Sequence, residues 1–258
     1  MEKQTPHAEA HDTTVVDQFS KQAIPFTEIP GHHDGTQLLV LFSGVSAEDS
    51  VLDVACGPGI VACEFSRLAG SVTGIDITPA MIDQAAKRQH ELGLGNINWQ
   101  VGTATALPYP DESFSLVITR YSFHHLLDCA AALAEMIRVC RLGGRVLVAD
   151  VAVLADKSVA YDRLEVLRDP SHVHALTEPE FDELFTRSGL RDCQRTAYGV
   201  DIGLEAQLRA SFPLPGDDQV IRAIVTNDVG IDDLGIKARS DGDNIVYTVP
   251  IAVYVGVR

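Results

Sequence analysis

The sequence predicts an α/β protein: a doubly wound, mostly parallel sheet with helices on both faces. Two observations carry that prediction. Short apolar runs of strand length alternate with helical stripes from residue 51 to residue 150, and a Gly-Pro-Gly turn follows the first run directly. Such alternation builds a parallel sheet whose strand-to-helix loops gather along one carboxyl edge, where these folds bind ligands.

Val51-Leu52-Asp53-Val54-Ala55 reads as a buried strand ending in Cys56-Gly57-Pro58-Gly59, and the helix behind it carries Val61, Phe65 and Leu68 at helical spacing. Val72 to Asp76 is the second strand; Thr78 then caps a helix with Pro79 at its first position, where the missing N–H costs nothing. Ile97 to Val101 and Leu116 to Thr119 are the third and fourth strands. Leu133, Met136, Ile137 and Cys140 form the stripe of the next helix, which stops at Gly143-Gly144 before the fifth strand, Val146 to Asp150. Thr177-Glu178-Pro179-Glu180 is a capping box opening a helix with Phe181, Leu184 and Phe185 inward and Gly189 as its stop. Asn244 to Val257, rich in Val, Ile and Tyr around Pro250, is expected as an edge or hairpin strand paired near 193–201. Residues 203–240 read as an insertion of short helices with an acidic loop, and residues 1–35 as an arm with a short apolar helix around Val15, Val16 and Phe19.

Composition narrows the function classes. The 258 residues hold 20 Lys and Arg against 36 Asp and Glu, a net charge of −16, and 46% are hydrophobic. A full core is therefore available, whereas a body this acidic is repelled by nucleic acid phosphates and by anionic membranes. No apolar run approaches the roughly 18–20 residues of a membrane span. The opening Met1 to Pro6 lacks the basic patch and apolar core of a secretory signal, so a cytoplasmic location is expected. Cys56, Cys63, Cys129, Cys140 and Cys193 are odd in number and form no C-x-x-C pair, which argues against a disulfide scaffold or a structural zinc site.

The glycine turn is the sharpest local feature. Gly57 to Ala62 satisfies the G-x-G-x-x-G/A pattern of dinucleotide folds, a weak signal by itself. Three further features redirect it. Asp53 interrupts the strand four residues before Gly57; Asp76 closes the second strand 17 residues after Gly59, placed for both hydroxyls of a ribose; and Gly102-Thr103-Ala104 follows the third strand.

With these motifs on the page, the chain over roughly residues 13–190 resembles the class I S-adenosylmethionine-dependent methyltransferases. Its likeness is to the small-molecule branch that includes the ubiquinone/menaquinone biosynthesis enzymes. The resemblance implies a Rossmann-like seven-stranded sheet, mostly parallel with an antiparallel C-terminal strand, and N-terminal and inserted helical lids. It implies one methyltransferase domain over residues 1–258: a lid (1–35), a cofactor-binding core (36–151) and a C-terminal half (152–258) containing the 203–240 insertion. Asp53, Ala55, Cys56, Gly57 and Gly59 then cradle the methionine part of S-adenosyl-L-methionine, and Asp76 takes its ribose. Ile77 and Met81 flank the adenine, Gly102, Thr103 and Ala104 meet its edge, and Arg120 stands beside the methyl donor. Three positions depart from the family pattern: Thr103 and Ser115 stand where Asp is common, and Leu142 where the turn before the fifth strand has Pro.

The implied reaction is methyl transfer to a small-molecule oxygen, nitrogen or carbon nucleophile by in-line displacement, with S-adenosyl-L-homocysteine as product. His124 and His172, with Arg120, are the candidate catalytic groups, because histidine is the side chain most easily used as a base near neutral pH. Tyr121, His125, Arg168 and His174 are candidate acceptor contacts, and Arg120, Arg168, His124 and His172, gathered in the cleft against the overall charge, would leave room for an anionic acceptor. Phe19 and Phe26 in the arm are candidates to close over the sulfonium, where an aromatic face favours a cation. A guanidinium at Arg120 would repel a metal ion, so no metal is expected. Two other readings stay open: an S-adenosylmethionine-binding protein without methyl transfer, and a nicotinamide oxidoreductase using the same turn.

Overall fold

A computed structural model of the chain describes residues 6–28 and 34–258. Five parallel strands form its centre: β1 (Ser50–Val54), β2 (Ser71–Asp76), β3 (Ile97–Val101), β4 (Phe114–Arg120) and β5 (Cys140–Val151). Antiparallel β6 (Arg191–Gly203) and β8 (Asn244–Val257) complete the order β3-β2-β1-β4-β5-β8-β6, and short β7 (Arg239–Asp241) pairs with β8. The sheet thus has eight strands, the eighth being the β7 hairpin arm at the end of the expected insertion. β8 is not an edge strand: it lies between β5 and β6. Pro250 is tolerated there because its carbonyl still accepts the Ala152 N–H (3.0 Å) while it stands opposite Gly199.

Alternation along the strands creates two apolar faces. Leu52, Val54, Val117, Val146 and Val148 pack with Leu133, Met136, Phe181 and Phe185, residues of α6 (Cys129–Val139) and α8 (Glu178–Arg187). Val51, Leu116, Ile118, Leu147 and Ala149 face Leu39, Phe65, Tyr161, Leu208 and Ile221. Those come from α3 (Thr36–Ser43), α4 (Ile60–Phe65), α7 (Ser158–Arg168), α9 (Leu204–Ala210) and α10 (Asp217–Asp228). α5 (Pro79–Glu91) packs on β2 and β3. The arm contains a 17-residue helix, α1 (Pro6–Gln22), followed by α2 (Pro25–Glu28). No helix among the described residues is long and apolar enough to cross a membrane.

Local expectations are met or corrected for identifiable reasons. The Thr177 capping box forms, with the Thr177 N–H and hydroxyl both donating to Glu180 Oε2 at 2.8 Å. α4 stops at Phe65, so Leu68 turns outward and is exposed. Cys140 opens β5 and does not end α6. Ser115 stands in a network in place of the family's acid: its hydroxyl donates to Asp49 Oδ1 (2.7 Å), and Arg145 pairs with the same carboxylate. In the acidic loop, Asp228 is buried and its Oδ1 accepts the N–H groups of Asp233 and Leu234, a turn-stabilising role.

Trp99 on β3 leans over β2, and a Cβ built at Gly74 overlaps its ring. Gly74→Ala is therefore expected to destabilise the protein by about 1–3 kcal/mol through overpacking. Urea unfolding measures this; an unchanged midpoint would contradict the packing described.

Candidate active site

One cavity of about 400 Å³ opens along the carboxyl edge. The β1–α4 turn forms one wall. Ala55 and Gly57 have positive φ (53° and 51°), and Gly59 has φ 76°. A Cβ at Gly57 would meet nothing within 4 Å, so the bare backbone faces open space, whereas one at Gly59 would press within 2.7 Å of Trp99. Gly57 therefore suits close approach by a ligand, and Gly59 suits packing against β3 and α5.

Asp76 pins this turn. Its Oδ2 accepts the Gly57 N–H and its Oδ1 the Thr78 N–H, both at 2.8 Å. These bonds join the β1 turn to the residue that opens α5; the Thr78 side chain itself makes no capping hydrogen bond, contrary to the sequence expectation. Burial raises the Asp76 pKa from its ordinary value, and the two backbone donors restrain the rise. Asp53 is more extreme. It is 1% exposed, its Oδ2 has no hydrogen-bond partner, and burial lifts its pKa to about 7 against the pull of the Arg120 charge. A buried carboxylate with an unpaired oxygen is costly to hold ionised, and here it forms part of the cavity wall.

The turn after β4 supplies the middle of the cavity. Tyr121 has φ 57°, which swings the chain into a 3₁₀ turn at Phe123–His125. Asp150, at the end of β5, holds that turn: its Oδ2 accepts the N–H groups of Ser122 (2.7 Å) and Phe123 (2.6 Å). Its Oδ1 lies 2.5 Å from His124 Nδ1. A proton on Nδ1 is thus shared with a buried carboxylate, which leaves Nε2 as the free ring nitrogen. Burial alone would depress His124, but Asp150 wins and its pKa is raised. His125 goes the other way, to about 3, through burial and the neighbouring His124 charge. Its ring contacts Ser171 Oγ (3.1 Å), and that hydroxyl also reaches Asp169 Oδ1 (2.6 Å). Arg120 donates to the Asp34 carbonyl (3.2 Å) and lies 4.5 Å from the Tyr121 ring centroid.

α1 closes the cavity from above. Gln22 donates to Asp169 (2.8 Å), His11 Nε2 contacts the His125 carbonyl (2.7 Å), and Phe19 meets the His125 ring edge-on at 4.9 Å.

Of the residues singled out in the sequence, Asp53, Ala55, Cys56, Gly57, Asp76, Ile77, Met81, Gly102, Thr103 and Ala104 line the cavity. Arg120, Tyr121, His124, His125, Arg168 and Phe19 line it as well. Gly59 stands behind the wall. His172 and His174 are corrections: neither reaches the cavity. Asp162 holds both back, bonding His172 Nε2 (2.8 Å) and His174 Nδ1 (2.6 Å), and the His172 side chain is fully buried. The side chain of Phe26 lies outside the described residues. The clustering of free basic groups also fails, because Arg168 is spent on Glu165 at 2.5 Å. Sequence reasoning missed Tyr161, Glu165, Gln207 and Tyr247, and the strip Val200, Ile202, Val249 and Ile251. The period-two spacing of 247, 249 and 251 and of 200 and 202 was the available signal.

Two measurements follow. The raised Asp53 pKa means the folded protein holds a proton the unfolded chain releases, so its penalty grows as pH rises from about 4 to 7. Asp53→Asn is expected to be more stable than wild type at pH 8, with the difference vanishing near pH 4; a gap independent of pH would refute the assignment. In ¹⁵N NMR titrations, His124 should titrate above 6.5 and His125 remain neutral from pH 5 to 8, and Asp150→Asn should lower the His124 value.

Comparison with known proteins agrees with this geometry. A family model described as a methyltransferase domain matches residues 52–148. The uncharacterized methyltransferase YcgJ of Bacillus subtilis (strain 168) is 28% identical over 246 residues, spanning 93% of this chain and 97% of that protein. The YcgJ crystal structure superposes with a TM-score of 0.80 at 26% identity, over 88% of this chain and 99% of that one. The ubiquinone/menaquinone biosynthesis C-methyltransferase UbiE of Serratia proteamaculans (strain 568) is 34% identical over 152 residues, 53% of this chain and 61% of that protein. The strand order and the Gly57 turn agree with the methyltransferase-domain match over residues 52–148, and the likeness to a methyltransferase runs along nearly the whole chain.

Proposed function

We propose that the chain transfers a methyl group from S-adenosyl-L-methionine to a small-molecule acceptor by in-line displacement. The observation that carries this reading is one continuous cavity with Asp53, Gly57 and Asp76 at one end and a separate apolar strip at the other. A donor and an acceptor can share it.

The residues present fit the donor. Asp53, in the cavity wall, would take the ammonium of the methionine part, and Gly57 would let the backbone lie against it. Asp76 would take the ribose hydroxyls, and Ile77 and Met81 the adenine. The donor, when bound, supplies a methyl group on a positively charged sulfur. Its charge suits a wall where, among the described residues, Asp12, Asp53, Asp76, Asp128, Glu165 and Asp169 outnumber Arg120, Arg168 and His124. Thr103 is turned to Thr105 (3.2 Å between hydroxyls), so the adenine edge would be met by the 102–104 backbone without a carboxylate.

The chain's task is positioning. The cavity would have to hold the nucleophile near the methyl group, which in a reactive geometry means about 3–3.5 Å. α1, through Val15, Phe19 and Gln22, covers it against water. His124 would accept a proton from the acceptor at Nε2, with Asp150 holding Nδ1. In this reading the whole chain acts as one domain, with the arm as lid, and Arg120 braces the junction between donor and lid through Asp34.

Calorimetry with S-adenosyl-L-homocysteine tests the donor site. Wild type is expected to bind, and Asp76→Ala to bind roughly 10- to 100-fold more weakly, about the 1.5–3 kcal/mol of hydrogen bonds to a charged group. No binding by wild type would sink the reading. Incubation with methyl-labelled donor and a metabolite extract should yield a labelled small molecule by mass spectrometry; binding without any labelled product would favour a non-catalytic binder.

A further inference from the structure

The end of the cavity away from the glycine turn is built by another part of the sheet. β5, β8 and β6 follow β4 in the strand order, two to four spacings from β1, roughly 10–20 Å. Val249 pairs with Val200, and Tyr247 with Ile202, so these side chains share one face and form an apolar strip that ends in a phenol. Tyr161 packs into the same apolar cluster from α7. Tyr161, Glu165 and Arg168 follow one another at four and three residues, so they lie on one side of that helix, and all three line the cavity.

The two phenols differ from the other tyrosines of the chain. Tyr121 and Tyr198 spend their hydroxyls on each other (2.8 Å), and Tyr254 donates to Asp182 (2.9 Å). The Tyr109 hydroxyl is unpaired but sealed from solvent. Among the described residues, the Tyr161 and Tyr247 hydroxyls have no hydrogen-bond partner either, yet neither oxygen is sealed. The two residues are only 3% and 5% exposed and both line the cavity, so what stays open of them opens into it. A tyrosine hydroxyl set among apolar side chains normally finds a partner, and here the open side is the cavity.

The charges around them are already satisfied. Arg168 donates to Glu165 through Nε and Nη2, which offers no net charge to an incoming anion. Asp169 is committed to Ser171 and Gln22, so an ammonium finds no free carboxylate at this end. Burial pushes both phenols up, so they stay uncharged and keep their O–H groups as donors. We propose that Tyr161 and Tyr247 set acceptor specificity: the acceptor is an uncharged molecule whose apolar body lies on the Val200–Val249 strip and whose carbonyl or hydroxyl oxygen accepts hydrogen bonds from these phenols. This rests on the methyltransferase reading above.

Four probes on one apolar body separate the alternatives: 2-acetonaphthone, its hydrocarbon isostere 2-isopropenylnaphthalene, 2-naphthoate and 2-naphthylmethylammonium. Each is titrated at pH 7 into the full chain preloaded with S-adenosyl-L-homocysteine. The ketone is expected to bind at least tenfold more tightly than either charged probe. Tyr161→Phe and Tyr247→Phe delete only a hydroxyl. Each should weaken the ketone about three- to tenfold, the range of one neutral hydrogen bond, and the double variant at least tenfold. The hydrocarbon and S-adenosyl-L-homocysteine should stay within twofold in all three variants, which also shows that they fold. Tighter binding of a charged probe, no binding of the ketone, undiminished ketone binding by the double variant, or an equal loss for the hydrocarbon would overturn the proposal. Failure of wild type to bind S-adenosyl-L-homocysteine would overturn the donor reading instead, so the two failures are distinct.

Discussion

The carboxylate of Asp150 organises the centre of this molecule. Buried at the carboxyl end of β5, it accepts the Ser122 and Phe123 N–H groups, the Val151 N–H and the His124 ring. A buried charge survives only when its lone pairs are occupied, and each partner here lies in a segment that must be folded correctly. Burial would raise the Asp150 pKa, yet His124 and the backbone donors hold it below its ordinary value. The consequences spread outward. With His124 fixed, its carbonyl accepts the N–H groups of Val173 and His174 and so anchors the loop after α7. That loop carries Asp169 and Ser171, which face His125, and Asp169 in turn receives Gln22 from α1. The lid is therefore tied to the same turn that orients the histidine.

A second constraint is electrostatic. The chain's net charge of −16 persists inside the cavity, where carboxylates outnumber guanidiniums. Such a wall disfavours anions and suits a cationic methyl donor. Counting Arg120, Arg168, His124 and His172 as a basic cluster ignored their partners. Glu165 neutralises Arg168, Asp150 pairs with His124, and Asp162 withdraws His172. Charge in a sequence is a sum, whereas charge in a site depends on which ions have already found each other.

The same distinction applies to the bonds that tie β1 to its neighbours. Asp76 and Gly57 lie 19 residues apart in the chain and are joined by a 2.8 Å hydrogen bond, a contact that the sequence reading of Asp76 as a ribose partner did not include. Ser115, at the opposite end of β4, joins Asp49 and Arg145 in one network: its hydroxyl donates to the carboxylate that Arg145 pairs with.

The sequence alone determined the parallel core, the glycine turn, the acid inside β1 and the acid that ends β2, because each is a local pattern: short apolar runs, a strand-to-helix turn and short fixed spacings. It also announced the Thr177 capping box, a reciprocal bond within four residues. Tertiary structure decided what depends on pairing across the chain. β8 became an interior strand because β6 folds back outside it. Tyr247, Val249 and Ile251 became cavity floor only once β8 was set against β5 and β6. Glu165 and Asp150 carry no motif; their roles arise from burial and from the identity of their nearest polar neighbour, which no single segment contains.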